Sequence, residues 1–440
     1  MINIKYRLPK AIYEQVLKDL ARPHAYAAER IGFLFTRSKK LSNGSILITA
    51  IDYVPVDESS YINDEHVGAR INSDAILMGM QRARSQKCGV FHVHKHDHKG
   101  KPSMSWIDED GIPPVVESFS HVSANQCHGI IILSKNSLLV NVLPPDETNY
   151  IQPSVISIVG YPNRYFFLDR KSSRSYDIYI RQEFLGPDAQ YSFENIRVGI
   201  VGYGGGGSHV GQQLAHIGVT NQVIFDDDQI EDSNLNRLIG GRKVDLANST
   251  PKTDIARRTI QDILPHAKVV SINSRWQECP DELQQCDIVI GCVDSYLERE
   301  QLEAECRRFL IPLIDIGMDV HGVDKQFSMF GQIILSMPGG PCMRCMKFIT
   351  DENLGKEAAK YGNVGGRPQV VWPNGVLAST AVGLLVDIIT GWTGRNGSNI
   401  YLAYDGNNGT ISDHIRINYL PPICTHYRIE DVGPPNFMPL

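Results

Sequence analysis

The spacing of apolar positions changes character part-way along the chain. In the first stretch, to about residue 145, helical and strand-like patterns are mixed. Ile12, Val16 and Leu20 recur every four residues, which predicts an amphipathic helix over 12–20. Short apolar runs at 31–35, 45–52, 89–94 and 129–133 read as strands, with a helical pattern at 73–85 between them. From Leu143 the chain turns irregular, with Pro144, Pro145, Pro153 and Pro162 followed by the polar run 170–175, and a domain boundary is expected near residue 165. Beyond it, runs at 197–201, 223–225, 269–272, 287–292 and 312–316 alternate with helix-compatible segments, the pattern of βαβ units around a parallel sheet. The expected architecture is therefore α/β, with one mixed domain over 1–165 and a second, mainly parallel one over 166–440. The end of the chain, 433–440, is proline-rich and reads as a loose tail.

Composition narrows the function classes. A length of 440 residues suits two or three domains at roughly 150 residues each. Lys+Arg number 43 against 49 Asp+Glu, a net charge of −6, so no general electrostatic pull toward nucleic acid or an anionic membrane is expected. No apolar run reaches the roughly 18 residues of a membrane span, and the best, 376–392, contains Asp387. Residues 1–10 lack an apolar signal core, and nine cysteines are too sparse for a disulfide scaffold. A cytoplasmic enzyme fits these readings.

The first chemical constellation is Phe91-His92-Val93-His94-Lys95-His96-Asp97-His98, four of the 14 histidines within seven residues. On a strand, alternate side chains share a face, so neighbouring histidines of this set lie about 7 Å apart and can converge on one zinc ion. Asp108 downstream offers an oxygen ligand, and three protein ligands with one open position make a catalytic rather than a structural arrangement. His92-x-His94 followed by Ser105-x-x-Asp108, with Glu29-Arg30-Ile31-Gly32 upstream, resembles the signature of the JAB/MPN (JAMM) metalloprotease family. The resemblance implies zinc on His92, His94 and Asp108, Glu29 as general base, and Ser105 as hydrogen-bond donor to the oxyanion. Here Lys95 replaces the family's proline and ten residues separate His94 from Ser105, so His96 or His98 stands as an alternative ligand.

The second constellation begins where the run 197–201 ends in Gly202-Tyr203-Gly204-Gly205-Gly206-Gly207. Such a turn lets phosphate approach backbone N–H groups at a helix N-terminus. Asp226 stands where a ribose-binding acid belongs, and a dehydrogenase would read the same to this point. The residues from Asp226 onward separate the two. Asp226-Asp227-Asp228 with Ser233-Asn234-Leu235-Asn236-Arg237, then Pro251-Lys252 and the run 287–294 ending in Asp294, resembles the ThiF/MoeB and ubiquitin-activating-enzyme family. Tyr179-Ile180-Arg181-Gln182 and Gly186-Pro187-x-x-Gln190 resemble the segment preceding that fold, so the match spans about residues 176–425. The resemblance implies ATP bound by Gly202, Gly204, Gly205, Gly207, Asp226, Asp228, Asn234, Arg237 and Lys252, with Mg on Asp294. Arg181 would reach into the partner's site of a homodimer. Cys342-x-x-Cys345 matches half of the family's structural zinc site. Cys424 and His426 either complete it or leave two unliganded thiols.

Together the two resemblances imply a zinc peptidase fused to an adenylating enzyme that acts on a ubiquitin-like β-grasp protein. Such fusions resemble components of bacterial ubiquitin-like conjugation operons, some linked to phage defence, in which a conjugating-enzyme-like protein is a further partner. A sulfur-carrier activator and a silent dimeric scaffold are the alternatives. No cysteine lies between Met346 and Pro373, where family members that form a thioester keep theirs. The implied product is an acyl adenylate passed directly to its acceptor.

Overall fold

The computed structural model describes residues 2–64, 66–168, 177–323, 326–359 and 368–435. Eight strands form the first sheet: β1 (Ile4–Pro9), β2 (Ile31–Lys40), β3 (Ile46–Pro55), β6 (Gly89–Lys95), β7 (His128–Leu133), β8 (Leu138–Leu143), β9 (Val155–Val159) and β10 (Arg164–Phe167). A two-stranded ribbon, β4 (Tyr61–Ile62) and β5 (Arg70–Ile71), lies outside it. The sheet order is β10-β9-β1-β3-β2-β6-β7-β8. Both faces are covered, and alternation along β2 shows how. Phe33 and Phe35 point toward Ala75, Ala83 and Phe119 of the Ser73–Gln86 and Trp106–Val122 helices. Leu34 points the other way, with Tyr6 and Phe91, toward Ile12, Val16 and Leu20 of the Lys10–Leu20 helix. The expected helices over 12–20 and 73–85 are both present. The Trp106–Val122 helix was not expected, because Pro113 and Pro114 stand inside it.

The members of the second sheet are β11 (Arg197–Val201), β12 (Asn221–Phe225), β13 (Lys268–Ile272), β14 (Ile288–Gly291), β15 (Leu313–Val323), β16 (Gln326–Ser336), β17 (Ile400–Asp405) and β18 (Thr410–Asp413). They lie in the order β13-β12-β11-β14-β15-β16-β17-β18. The five expected strands are the first five, and they pair in parallel. The sheet is nevertheless mixed rather than mainly parallel, because β15 to β18 pair antiparallel. Chain order reverses between β11 and β14, which places the ligand crevice of an open α/β sheet at their C-terminal ends. The Val371–Thr390 helix is long and apolar enough to cross a membrane by length and composition, longer than the run read from the sequence, yet most of it is buried within the protein. Its one interior acid, Asp387, accepts hydrogen bonds from Tyr161 and Thr393.

The two sheets meet through buried charge. Lys5 of β1 reaches Asp287, at the foot of β14, with Nζ 2.9 Å from each oxygen, and also donates to the Gln285 carbonyl at 2.7 Å. Arg7, 2% exposed, donates to the carbonyls of Cys286 and Phe309 at 2.7 and 2.6 Å. Asn163 donates its backbone N–H to the Ile388 carbonyl at 2.8 Å, near the end of the long helix. Because breaking a buried pair leaves one charge stranded, Asp287→Ala is expected to cost about 3 kcal/mol, read as a lowered urea midpoint. The control Asp254→Ala, which opens the exposed pair with Arg257, should cost less than about 1 kcal/mol. Equal shifts in the two variants would mean that the junction carries no such load.

Candidate functional site

Two clusters of chemically able side chains stand apart, one in each sheet's territory. The first lies at the end of β6. Ile31 pairs with His94 across β2 and β6, which brings Glu29, two residues earlier, beside the histidines. The Gly68 carbonyl fixes that approach by accepting N–H bonds from Ala28 and Glu29 at 2.8 and 3.1 Å. One ligand atom each from Glu29, His94 and His96 lies within 4.8 Å of the others. The two Nε2 atoms are 3.1 Å apart, and Asp108 sets one oxygen 3.4 Å from His94 and the other 3.4 Å from His96. Burial pushes the Glu29 carboxyl up, against the opposing pull of the His94 and His96 rings. Burial pushes Asp108 up too, but hydrogen bonds from His94 and Ser105 outweigh it and hold that carboxyl well below the usual range.

His92 lines the same cavity as Glu29, His94, His96 and Asp108 but stands outside the group whose ligand atoms lie within 4.8 Å. It lies two residues deeper, opposite Phe33, 4% exposed, and burial drives its pKa down to about 3. His96 takes the place expected of His92, and the gap to Ser105 shortens accordingly, while His98 is exposed and turned to the Lys99 carbonyl. Ser105 stands beside Asp108. Its hydroxyl donates to Asp108 Oδ2 at 2.8 Å and accepts the Asp108 N–H at 3.2 Å, capping the Trp106–Val122 helix and orienting the carboxylate. The cluster opens into a cavity of about 560 Å³ that Trp106 and Ile112 also line.

The second cluster surrounds the glycine turn after β11. Gly202 has φ +87°, a conformation open to glycine, and a Cβ there would stand 2.8 Å from the Cys292 carbonyl. A Cβ at Gly207 would meet the Gly202 carbonyl at 2.0 Å, so that glycine serves the packing of the turn. Gly204 and Gly205 instead line a cavity of about 290 Å³, with Asp228, Asn234, Arg237, Lys252 and Asp294. Lys252 donates to Asp228 at 2.6 Å and lies 3.6 Å from Asp226. Burial opposes its charge, but the two carboxylates prevail and hold the ammonium above its ordinary value. Asp226 is otherwise engaged than expected. Its oxygens accept the N–H groups of Tyr203 and Asp228 at 2.6 and 3.0 Å, bracing the turn, and Asp228 faces the cavity instead. Asn234 is buried and accepts the Glu231 N–H at 3.1 Å.

A profile of the ThiF family matches residues 176–425, more than half of the chain. The chain belongs to the ThiF family. The SAMP-activating enzyme E1 of Haloferax volcanii is 29% identical over 60% of this chain and 93% of its own. The molybdopterin-synthase adenylyltransferase of Escherichia coli K12 is 32% identical over 38% of this chain and 64% of its own. A crystal structure of E. coli MccB aligns with 56% of this chain and 70% of its own at 21% identity, with a TM-score of 0.45.

In this ThiF-family chain the four residues of the C-terminal metal motif come together. Single ligand atoms of Cys342, Cys345, Cys424 and His426 lie within 4.8 Å of one another. The Cys342 sulfur is 3.6 Å from that of Cys345 and 3.4 Å from His426 Nδ1. Three sulfurs and an imidazole nitrogen are a donor set suited to tetrahedral zinc. Arg181, by contrast, is exposed on the Asp177–Leu185 turn and is not among the residues that line the nucleotide cavity.

Sequence reasoning missed several cavity residues. Among them, Cys292 lines the cavity, with its thiol pushed up by burial and so kept from the thiolate form. Gln369 and Asn374 line it as well, and no motif marks them. Part of the stretch between Met346 and Pro373, 360–367, lies outside the described residues. For the first cluster, His96→Ala should lose one zinc equivalent from purified protein, measured by plasma mass spectrometry, and His92→Gln should retain it. The reverse outcome would restore the first assignment.

Proposed function

We propose that this chain uses ATP to adenylate the C-terminal carboxylate of a ubiquitin-like or sulfur-carrier protein. One observation carries the reading: Asn234, Arg237, Lys252 and Asp294 share a single cavity at the glycine turn. In the reaction a carboxylate oxygen attacks the α-phosphorus, the bond to the β-phosphate bridging oxygen breaks, and pyrophosphate leaves. Two anions must meet, and negative charge grows on the leaving group. Arg237 and Lys252 offset that charge, and the N–H groups of the glycine turn face the phosphates. The Asp294 carboxylate is an oxygen donor suited to Mg, which when bound would supply neutralisation of the phosphate charge.

Similarity to a SAMP-activating enzyme and to a molybdopterin-synthase adenylyltransferase supports both kinds of small protein as substrate. A silent scaffold would not need four charged or amide groups gathered in one cavity. Arg181 is proposed to serve the cavity of a second copy, as an arginine finger does. ATP–pyrophosphate exchange with a candidate β-grasp partner is expected from the native chain and to fall at least 100-fold in Lys252→Ala. Mixtures of Arg181→Ala with Asp294→Ala subunits should recover part of it. Exchange unaffected by Lys252→Ala would sink the adenylation reading.

The Glu29–His94–His96 cluster, with Asp108, favours a second activity, cleavage of a peptide or isopeptide bond at the C-terminus of the same class of protein. The two imidazoles and Asp108 fit zinc, which would supply Lewis acidity there. Glu29, raised by burial, is suited to accept a proton from water and return it to the leaving amine. Ser105 holds Asp108 in place. Glu29→Gln is expected to abolish cleavage of a β-grasp–peptide fusion, followed by intact-mass spectrometry, with zinc content unchanged. Retained cleavage, or loss of zinc, would remove Glu29 from that role.

A further inference from the structure

Gln369 is not part of any motif, yet it touches both charged walls of the nucleotide cavity. Its Nε2 lies 3.3 Å from each oxygen of the Asp294 carboxylate. Its backbone carbonyl accepts a hydrogen bond from Asn236 Nδ2 at 3.2 Å. Asn236 Oδ1 in turn accepts from Arg237 Nη1 at 3.1 Å. One residue thus joins the carboxylate of one wall to the guanidinium of the other, its side chain serving Asp294 and its main chain serving Arg237.

The chain after it is pinned to the same place. Asn374 donates to the Val370 carbonyl at 3.0 Å and packs against Gly205, where a Cβ would stand 2.4 Å from its Nδ2. The residue next to Gln369 is thereby tied to the glycine turn, with the Gln369 side chain beside Asp294.

The chemistry of the contact matters. A neutral amide orients a carboxylate without neutralising it, as a lysine at this position would. The charge that a divalent cation needs is kept, and its direction is set.

We propose that Gln369 is a positioning residue of the nucleotide site, aiming Asp294 at the cation through its side chain and holding Arg237 through its main chain and Asn236. The inference rests on the adenylation reading above. The two arms can be separated, because Gln369→Ala removes the amide and keeps the carbonyl, whereas Asn236→Ala breaks only the link to Arg237.

The test is the affinity of the full chain for the α,β-methylene analogue of ATP, measured by calorimetry with Mn²⁺ and again in EDTA. Gln369→Ala should weaken binding about tenfold with Mn²⁺, the loss of one hydrogen bond to a charged group, and less than twofold in EDTA. Asn236→Ala should weaken it by similar factors in both conditions. A general structural lesion would not split by metal. An unchanged affinity in Gln369→Ala, or an equal loss with and without Mn²⁺, overturns the role. Failure of the native chain to bind the analogue at all would overturn the adenylation reading itself.

Discussion

A buried carboxylate at the foot of one strand sets the geometry on which both halves of this protein depend. Asp287 accepts the Lys5 ammonium from the first sheet and the Arg197 N–H, at 2.8 Å, from the start of β11. The strand it precedes, β14, leads to Asp294, and β11 leads to the glycine turn. One side chain therefore sets the spacing of the two strands that diverge at the nucleotide crevice, and at the same contact fixes the first domain to the second. Burial holds the Lys5 ammonium below its ordinary value, so its charge rests on Asp287. Such a pair is a poor source of net stability compared with apolar packing, but it is costly to break, which makes it a device for register.

The nucleotide cavity shows the complementary use of charge. Lys252 is satisfied by Asp228 and Asp226, and Asp294 by Gln369 among its contacts, so no isolated ion has to be held in a partly desolvated space. Under the proposed reading, a triphosphate with its cation would compete for these same partners. Lys252 would exchange a carboxylate for a phosphate, which conserves its pairing, and the exposed Asp228 would return to water at little cost. Binding is then largely an exchange of partners. Specificity falls to the rigid parts of the site, the glycine turn and the buried Asn234.

Much of this was legible in the sequence, and the failures have physical causes. Of the five parallel strands, β11, β12, β14 and the start of β15 are buried on both faces and so read as continuous apolar runs, while β13, at the edge, is only partly covered. Half of β16 and all of β18 are exposed, so the antiparallel half of the sheet lacks that signal. The glycine turn, Arg237, Lys252 and Asp294 were found because their spacing is dictated by a local turn, a strand end or a helix start. Gln369 was invisible because it arrives from a distant segment by tertiary packing alone. His92 was preferred to His96 because alternation along a strand places both on one face, and alternation says nothing of depth. The pairing of Ile31 with His94 aligns Glu29 with the strand end, beside His94 and His96, rather than with its middle.

The two proposed chemistries share one group. Hydrolysis of a peptide bond produces a free carboxylate, and adenylation consumes one, so under the proposed reading the cluster of Glu29, His94 and His96 would supply the group that the Arg237–Lys252 cavity takes up. Cleavage of an isopeptide bond would instead follow adenylation and conjugation, and it returns the same free carboxylate for a further round. A chain that carries both sites on a junction stiffened by Lys5, Arg7 and Asp287 keeps them at a constant separation, so transfer between them depends on the reach of the small protein's tail and not on domain motion. The physical demand is then placed on the substrate. It must present a mobile C-terminal segment long enough to enter either cavity while its folded body stays outside, since neither cavity, at about 560 and 290 Å³, can admit a folded domain.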